Sequence, residues 1–455
     1  MTIYLEPSAV LKGSPEYDHY EWEPYDMGPK HKRRALISGR EVSNVAITGQ
    51  GTIDGNGGHK NFQGKNPYGG IGGGVRPFPI SISKSTNVKL KDFKMMDGAF
   101  WNIKIDGCED VVVDGLTIDS RIVANNDGID IVDCSYVRIS NCFVRTGDDG
   151  ICIKSNRERG VRFVTVTNCI VTSYSNALKL GAVSKGGFED MTFSNCTLFD
   201  TRLSGIAIEI VDGGYADRII FSNITMHNVN GSIFIKADNR QKDKFAQIRN
   251  VIISNIIADG IGKWKADKSE AYTKKEFDER IGMIISGNEK CLVENITLSN
   301  IHLQFAGGGH AEHASTTLID KQANKYPDYH SWGITPAYGI NCNYVNNIRF
   351  KDIVVDASNK DARPAFYLEN TQGIVLEGIT AKVDNEAKSY IRFRNADKVS
   401  ILNSNPTGSR VPFCAFEGTA KNVVIMGNNL SNIKDIYIKT PEINDSDIKT
   451  QNNVQ

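Results

Sequence analysis

Short runs in which apolar and polar residues alternate recur along the whole chain, and most end in Asn, Asp or Gly. One such run starts at Val45 and another, near the end of the chain, starts at Val423. Alternation with a period of two is typical of β-strands and excludes helical repeats. In the most regular part the last residue of each run advances by 23, 26, 27, 27 and 28 positions, through Asp92, Gly115, Asn141, Asn168, Asn195 and Asn223.

A period of 23 to 28 residues is what one coil of a parallel β-helix requires. Each coil holds roughly three strands of about 4–6 residues and rises about 4.8 Å to pair with the next coil. Inward residues would stack as aliphatic ladders, and the recurring Asn would bond its amide to the coils above and below. The Leu-x-x-Leu-x-Leu consensus of leucine-rich repeats is absent. We therefore predict an all-β solenoid.

The repeat extends through residues 1–455, so we predict a single domain, although length alone would allow two or three. Three insertions interrupt the coils, at about 54–78, 259–290 and 304–338. The first is rich in glycine, and the second is charged, with a short helix expected near Lys274–Arg280. Insertions in solenoids project from one face and often build a binding groove.

The first five residues already have the pattern of a strand, so we expect neither a signal peptide nor the N-terminal cap that would cover the first coil. An uncapped coil exposes strand edges and apolar side chains, which favours a homo-oligomer or poor solubility.

The charge balance argues against two classes of partner. Lys+Arg and Asp+Glu are both 53, which gives a formal net charge of zero and favours neither a nucleic acid nor a membrane surface. No apolar run approaches the ~20 residues that span a bilayer.

The nine cysteines include three, Cys142, Cys169 and Cys196, that follow an Asn at intervals of 27 residues. We expect them to be buried and stacked, rather than to form disulfides or a metal site.

Two adjacent coils carry nearly the same acidic turn and strand. The stretch Asn125-Asn126-Asp127-Gly-Ile-Asp-Ile aligns with Gly147-Asp148-Asp149-Gly-Ile-Cys-Ile, so that Asp127 matches Asp149 and Asp148 is one extra carboxylate. Carboxylates stacked one coil apart lie about 5 Å from each other, and their repulsion should raise the pKa of at least one. Turn formation alone explains one such motif, but two in register favour catalysis. Calcium binding by the same carboxylates is the alternative.

Inverting glycoside hydrolysis needs one carboxylic acid and one carboxylate base about 6.5–9.5 Å apart, and three clustered acids can supply them. The two acidic motifs resemble the Asn-Thr-Asp and Gly-Asp-Asp motifs of polygalacturonases, glycoside hydrolase family 28, and the resemblance runs almost end to end. It implies a right-handed parallel β-helix that cleaves a pectic or related acidic polysaccharide or oligosaccharide with inversion, without a metal or cofactor. Asp148 would be the general acid, and Asp127 and Asp149 would position and deprotonate the water. A secreted or periplasmic location is also implied.

The chain departs from the family pattern at two places. The His of the family's Gly-His-Gly falls on Asn176, and the Arg-Ile-Lys that binds a galacturonate carboxylate falls on Ala207-Ile208-Glu209. Loss of these cations and the gain of Glu209 would repel a carboxylate at that subsite. The acid machinery therefore resembles that of the family, while substrate recognition differs.

Further candidate substrate-binding residues stand beside the acids in columns that we expect to lie on the surface. One column would hold Trp101, Asp127, Asp149 and Asn176, and the neighbouring one Lys104, Asp130, Cys152 and Lys179. Trp101 precedes Asp127 in its column and would be an exposed aromatic that either stacks on a sugar face or packs under the glycine-rich loop. The nearby lysines either bind an anionic group of the substrate or pair with Glu209 and Asp130. The predicted substrate-binding set is Trp101, Asn176, Lys179, Lys154, Glu209 and Lys236.

Two other functions remain open at this point. A β-elimination lyase of the same architecture would need bound calcium and an Arg or Lys base in the groove. A non-catalytic carbohydrate-binding β-helix would bind sugars without turnover.

Overall fold

The computed structural model describes residues 1–24, 32–62, 76–270, 274–276 and 280–455. These residues form two compact units, one comprising Met1–Ala207 with Lys265–Glu276, and the other comprising Ile208–Trp264 with Phe277–Gln455. The single-domain organisation of residues 1–455 stays a prediction.

The strands of the first unit are short, and the last one continues past Ala207. In chain order they are Thr2–Leu5, Val10–Lys12, Glu21–Pro24, Lys32–Arg40, Ser43–Gly49, Thr52–Asp54, Phe78–Ser83, Thr86–Lys91, Lys94–Met96, Ile103–Asp106, Glu109–Asp114, Thr117–Ser120, Ile129–Val132, Ser135–Ser140, Phe143–Thr146, Ile151–Ser155, Val161–Thr167, Ile170–Ser173, Leu178–Ser184 and Gly187–Ile210.

Strands of the first unit pair in parallel from coil to coil. In one column Ile103 pairs with Ile129, Ile129 with Ile151, and Ile151 with Leu178. All four side chains are fully buried, so the alternating pattern buries one continuous aliphatic ladder. The predicted all-β, right-handed parallel β-helix with inward aliphatic ladders is confirmed.

The second unit repeats this construction with longer strands. They are Tyr215–Ala237, Gln247–Ile261, Met283–Ser286, Leu292–Phe305, Ile340–Asn343, Val345–Ala357, Phe366–Val383, Ile391–Leu402, Thr407–Gly408, Cys414–Met426, Tyr437–Lys439 and Ile448–Gln451. Ile219 pairs with Val251, Val251 with Ile296 and Ile296 with Ile348, in another buried ladder.

The recurring Asn residues lie at bends within the long strands of the second unit. Asn223, Asn255 and Asn300 have φ of 55°, 56° and 52°, in the left-handed region that Asn tolerates better than most residues. The side-chain amide of Asn255 donates to the side-chain oxygen of Asn223 over 2.9 Å, and that of Asn300 donates to Asn255 over 2.8 Å. The predicted Asn stacking is confirmed.

All nine cysteines are buried and free, so their predicted burial is confirmed. Within the described residues, helical structure is confined to the short segments Tyr17–His19, Ala311–Ala314, Tyr329–Trp332 and Asp445–Asp447. No helix in this part of the chain has the length and apolarity to cross a membrane.

The insertions are only partly described. Gly69, Gly70 and residues 72–74 of the first insertion lie outside the described residues. So do residues 277–279 of the helix expected near Lys274–Arg280, whose residues 274–276 are not helical. The third insertion, 304–338, contains two of the short helical segments.

Candidate active site

Backbone hydrogen bonds stack the two acidic turns on each other. The amide of Gly128 donates to the carbonyl of Asp149 over 2.9 Å, and the amide of Gly150 donates to the carbonyl of Asn176 over 2.8 Å. A Cβ added to Gly128 would lie 2.5 Å from the carbonyl oxygen of Gly150, so the close approach of the turns requires glycine. The predicted stacking of Asp127 on Asp149 is confirmed.

The neighbouring column is also in the predicted register. Lys104 pairs with Asp130, Asp130 with Cys152, and Cys152 with Lys179. These side chains alternate with the buried aliphatic side chains along each strand, so they point away from the interior of the β-helix.

The expectation that these columns lie on the surface is wrong. Asp127 and Asp149 are each 4% exposed, and Asn176 is 1% exposed. Asp148, on the turn, is more accessible, with 17% of its side chain exposed. Alternation shows which side chains leave the apolar interior, but not what packs over them.

Asp149 is held by donors from two sides. Its Oδ1 accepts hydrogen bonds from the backbone amide and the side-chain amide of Asn176, over 3.1 and 3.0 Å. The Nζ of Lys179 lies 3.0 Å from its Oδ2. Burial alone would raise the pKa of Asp149, but the charges of Lys179 and Lys154 and the Asn176 hydrogen bond outweigh it and lower that pKa below its ordinary value. Asp149 is therefore ionised.

The pKa of Asp127 is shifted in the direction opposite to that of Asp149. Burial, followed by the charge of Asp130, raises its pKa well above the ordinary value, although Lys154 opposes the shift. The Nζ of Lys154 lies 3.3 Å from Oδ2 of Asp127. The carboxylates Asp148 and Asp149 contribute further to the increase. The expectation that at least one pKa in the stacked pair is raised is confirmed, with burial as the largest cause.

Lys154 lies at the centre of this cluster. It donates hydrogen bonds to Asp130 and Asp127, and its Nζ stands 4.3 Å from the centre of the Trp101 ring. Burial alone would lower the pKa of Lys154, but its acidic neighbours, Asp130 first, raise it well above the ordinary value. The sequence analysis named Asp130 only as a possible partner of the nearby lysines, and its pairing with Lys154 is confirmed.

Asp148 contacts both acidic motifs and the second insertion. Its Oδ2 accepts a hydrogen bond from the backbone amide of Asn125 over 3.1 Å, and the Nζ of Lys274 lies 3.3 Å from the same oxygen. Its Oδ1 accepts a hydrogen bond from the amide of Asp149. Sequence reasoning missed Lys274, whose only signal was its position in a charged insertion.

A second residue of this insertion, Glu270, fixes the segment to the coils of the first unit. The hydroxyl of Tyr174 donates to Glu270 Oε2 over 2.5 Å, and Arg145 donates to its Oε1. Arg121 lies 3.5 Å from Oε1 and stands over the Tyr174 ring. Glu270 is separated from Arg145 by 125 residues in the chain, so no local pattern predicts this contact.

Trp101 is not an exposed aromatic, contrary to the expectation. It is 7% exposed and packs in a cluster with Phe78 and Phe100. Its ring is stacked on that of Phe100 with centroids 5.4 Å apart. A role in sugar stacking stays a prediction.

The remaining predicted substrate-binding residues, Glu209 and Lys236, belong to the second unit. Glu209 is 1% exposed. Lys236 is 2% exposed and forms ion pairs with Asp238 and Asp320. Both roles in binding stay predictions.

The described residues contain no group of three or more His, Cys, Asp and Glu side chains arranged to hold a metal ion. The expectation of a mechanism without a metal or cofactor stays a prediction.

The chain is similar in sequence to proteins named polygalacturonase. The chain is 29% identical to a probable polygalacturonase of Vitis vinifera over 34% of its length, and 27% identical to a polygalacturonase of Persea americana over 50%. It covers 33% and 51% of these relatives, so it spans about a third to a half of their length.

Among solved structures, the fold is similar to that of a hyperthermoactive exopolygalacturonase from Thermotoga maritima, with a TM-score of 0.58 and 19% identity. This match covers 78% of the chain and 80% of that structure. The pattern of the family described as Glycosyl hydrolases family 28 matches residues 22–324, well over half of the chain. The chain therefore belongs to family 28 of the glycosyl hydrolases.

Proposed function

We propose that this protein hydrolyses a glycosidic bond with inversion of configuration, using Asp148 as the general acid. The observation that carries the proposal is the gathering of three carboxyls by two stacked turns. Burial alone would raise the pKa of Asp149, but the charges of Lys179 and Lys154 outweigh it and lower that pKa, which keeps this carboxyl ionised to act as the base.

Accessibility supports the division of roles. Asp148 is the most exposed of the three, as a group that must meet the leaving-group oxygen requires. Asp149 is ionised and would take the proton from the attacking water. Asp127, anchored by Lys154, would position that water. The proton then leaves the water for Asp149, while Asp148 gives its own proton to the departing sugar oxygen.

The substrate class follows from the relatives and from the charges. Relatives named polygalacturonase support a pectic or related acidic polysaccharide or oligosaccharide. Ala207 and Glu209 replace the cations of the family's Arg-Ile-Lys, so we expect poor activity on plain polygalacturonan. Lys274 supplies a different cation beside Asp148.

The test is proton NMR of the purified protein with a panel of pectic oligosaccharides, run beside Asp148→Asn. We expect new reducing-end signals whose first-formed anomer has the inverted configuration. Loss of a general acid reduces turnover by about 10²–10⁴-fold, so the variant should be nearly inactive while sugar affinity persists.

The matched control is Asp110→Asn, which changes an exposed aspartate paired with Arg138 and should leave turnover intact. Unsaturated-sugar signals would replace the proposal by a lyase reaction. Binding without turnover would make the protein a carbohydrate-binding β-helix. A secreted or periplasmic location and a homo-oligomer stay predictions of the sequence.

A further inference from the structure

The second unit contains a polar cavity that the proposed chemistry does not use. Its volume is about 520 Å³, and it is bordered by strand ends and by the insertion 304–338. Its lining includes Lys236, Asp238, Asn288, Asp320 and Trp332.

The charged side chains of this cavity are fixed in place. Lys236 is 2% exposed, and its Nζ lies 3.2 Å from Oδ2 of Asp238 and pairs also with Asp320. Asp238 in turn accepts a hydrogen bond from the side-chain amide of Asn288 over 3.0 Å. Asp320 Oδ1 accepts one from Ser331 over 3.2 Å. The polar side chains are therefore preorganised, which lowers the entropic cost of ordering them when a ligand binds.

An unsatisfied donor accompanies these charges. Trp332 is 5% exposed and packs in a cluster with Leu318 and Tyr329, but its buried indole N–H meets no acceptor among the described residues. A buried donor without a partner costs free energy, and an acceptor on a ligand would recover it once the indole edge turns toward the cavity. An aromatic ring with a polar edge, beside carboxylate and amide groups, suits a hydroxyl-bearing ring.

The charge of the cavity selects among such rings. The two carboxylates of Asp238 and Asp320 face the single ammonium of Lys236, which leaves a net charge of −1. The opposite charges of two further lining residues, Glu289 and Lys290, cancel each other. A ligand carboxylate would meet this excess negative charge, and the ammonium is already shared by two acids.

We propose that this cavity binds an uncharged glycosyl unit and excludes a uronate. This deepens the proposed function, on which it rests, because the substrate would then carry a neutral sugar beside its acidic units. It also agrees with Ala207 and Glu209, which disfavour a carboxylate at another position.

The test uses the full chain carrying Asp148→Asn, so that hydrolysis does not obscure binding. Saturation-transfer NMR and calorimetry are run with methyl galactoside and methyl galacturonoside, which differ only at C6, and with methyl glycosides of other neutral sugars. We expect saturable binding of at least one neutral glycoside and at least about tenfold weaker binding of the uronide.

Three further substitutions locate the binding. Trp332→Phe keeps an aromatic ring but removes the N–H, and should weaken binding of the neutral glycoside by about fivefold. Asp320→Asn should narrow the preference for the neutral over the charged sugar. Trp22→Phe, at a tryptophan that is 53% exposed in the first unit, is the matched control and should bind as the parent does.

Three results would overturn the inference: no saturable binding of any neutral glycoside, equal or tighter binding of the uronide, or binding untouched by both cavity substitutions. Tighter binding of galactosamine than of galactose would reassign the cavity to cationic ligands. Hydrolysis by the unsubstituted protein is scored separately, so failure of the proposed reaction and failure of this site are distinguishable.

Discussion

At the scale of single residues, three carboxyls and two lysines share one buried cluster, in which the pKa of one carboxyl is lowered and the pKa values of the other two are raised. Asp149 has its own lysine and two amide donors, so its negative charge is stabilised. Asp127 and Asp130 share Lys154, and one ammonium does not offset the burial of two carboxyls. The distribution of donors, and not the aspartates themselves, separates the acids by protonation state.

This sharing makes stability depend on pH through Asp130. Burial, opposed by Lys154 and reinforced by Asp149 and Asp148, raises the pKa of Asp130 to about 6. The folded state then binds more protons than the unfolded state between about pH 4 and pH 6, so this residue's contribution to stability falls as pH rises through that window. Asp130→Asn cannot ionise and lacks this loss.

We expect the difference in unfolding free energy, Asp130→Asn minus parent, to increase by up to about 3 kcal/mol between about pH 4 and about pH 7. Calorimetric unfolding across this range measures it, with Asp110→Asn as the exposed control. Parallel stability curves for parent and variant would contradict the assignment.

At the scale of elements, the Asn ladders link the turns of successive coils. Each Asn has two functions, because it adopts a left-handed backbone and also bonds its side chain to the coils on either side. Asn255 shows both, with φ of 56° and one ladder hydrogen bond to each neighbour.

Substitution of Asn255 separates the two functions. Asn255→Gly keeps the backbone conformation and loses only the ladder bonds, whereas Asn255→Ala loses both. We expect Asn255→Ala to lower the unfolding free energy by about 2 kcal/mol, and Asn255→Gly by about 1 kcal/mol less than that. Urea unfolding measures both, and equal losses would show that the backbone conformation contributes nothing.

The strands and ladders could be predicted from sequence because their causes are local or repeat with the coil. Ile129 and Ile151 reveal their inward position by alternation, and the stacking of Asp127 on Asp149 follows from aligning two coils. The burial of Trp101 could not be predicted, because alternation does not describe how its ring packs on Phe100 and on Phe78 of the preceding coil. Alternation along the sequence therefore predicts the strands, while tertiary contacts that it does not describe decide which side chains are exposed.

At the scale of the whole molecule, insertions supply what the coils lack. Lys274 reaches Asp148 and Glu270 reaches Arg145, across more than a hundred residues of chain. Such contacts depend on where an insertion folds back, which no periodicity encodes. The sequence therefore located the acids of the first unit but not the cation that approaches them.

Glu270 should control how firmly this insertion is held. Glu270→Gln removes the charge that Arg121 and Arg145 share, and we expect trypsin to cleave at Lys265, Lys268 or Lys274 about tenfold faster. Timed digestion followed by mass spectrometry measures the rate, with the exposed Glu158→Gln as control. Unchanged cleavage would mean that other contacts hold the segment.

The register of Asp130, Cys152 and Lys179 has a consequence for substitution. An acid, a thiol and a base occupy equivalent places on three successive strands, while the isoleucines and leucine beside them stay alike. The inward positions thus specify the coil, whereas the outward positions carry the polar side chains. The polar side chains of one coil can therefore be exchanged while the inward ladder, and with it the parallel pairing of the coils, is kept.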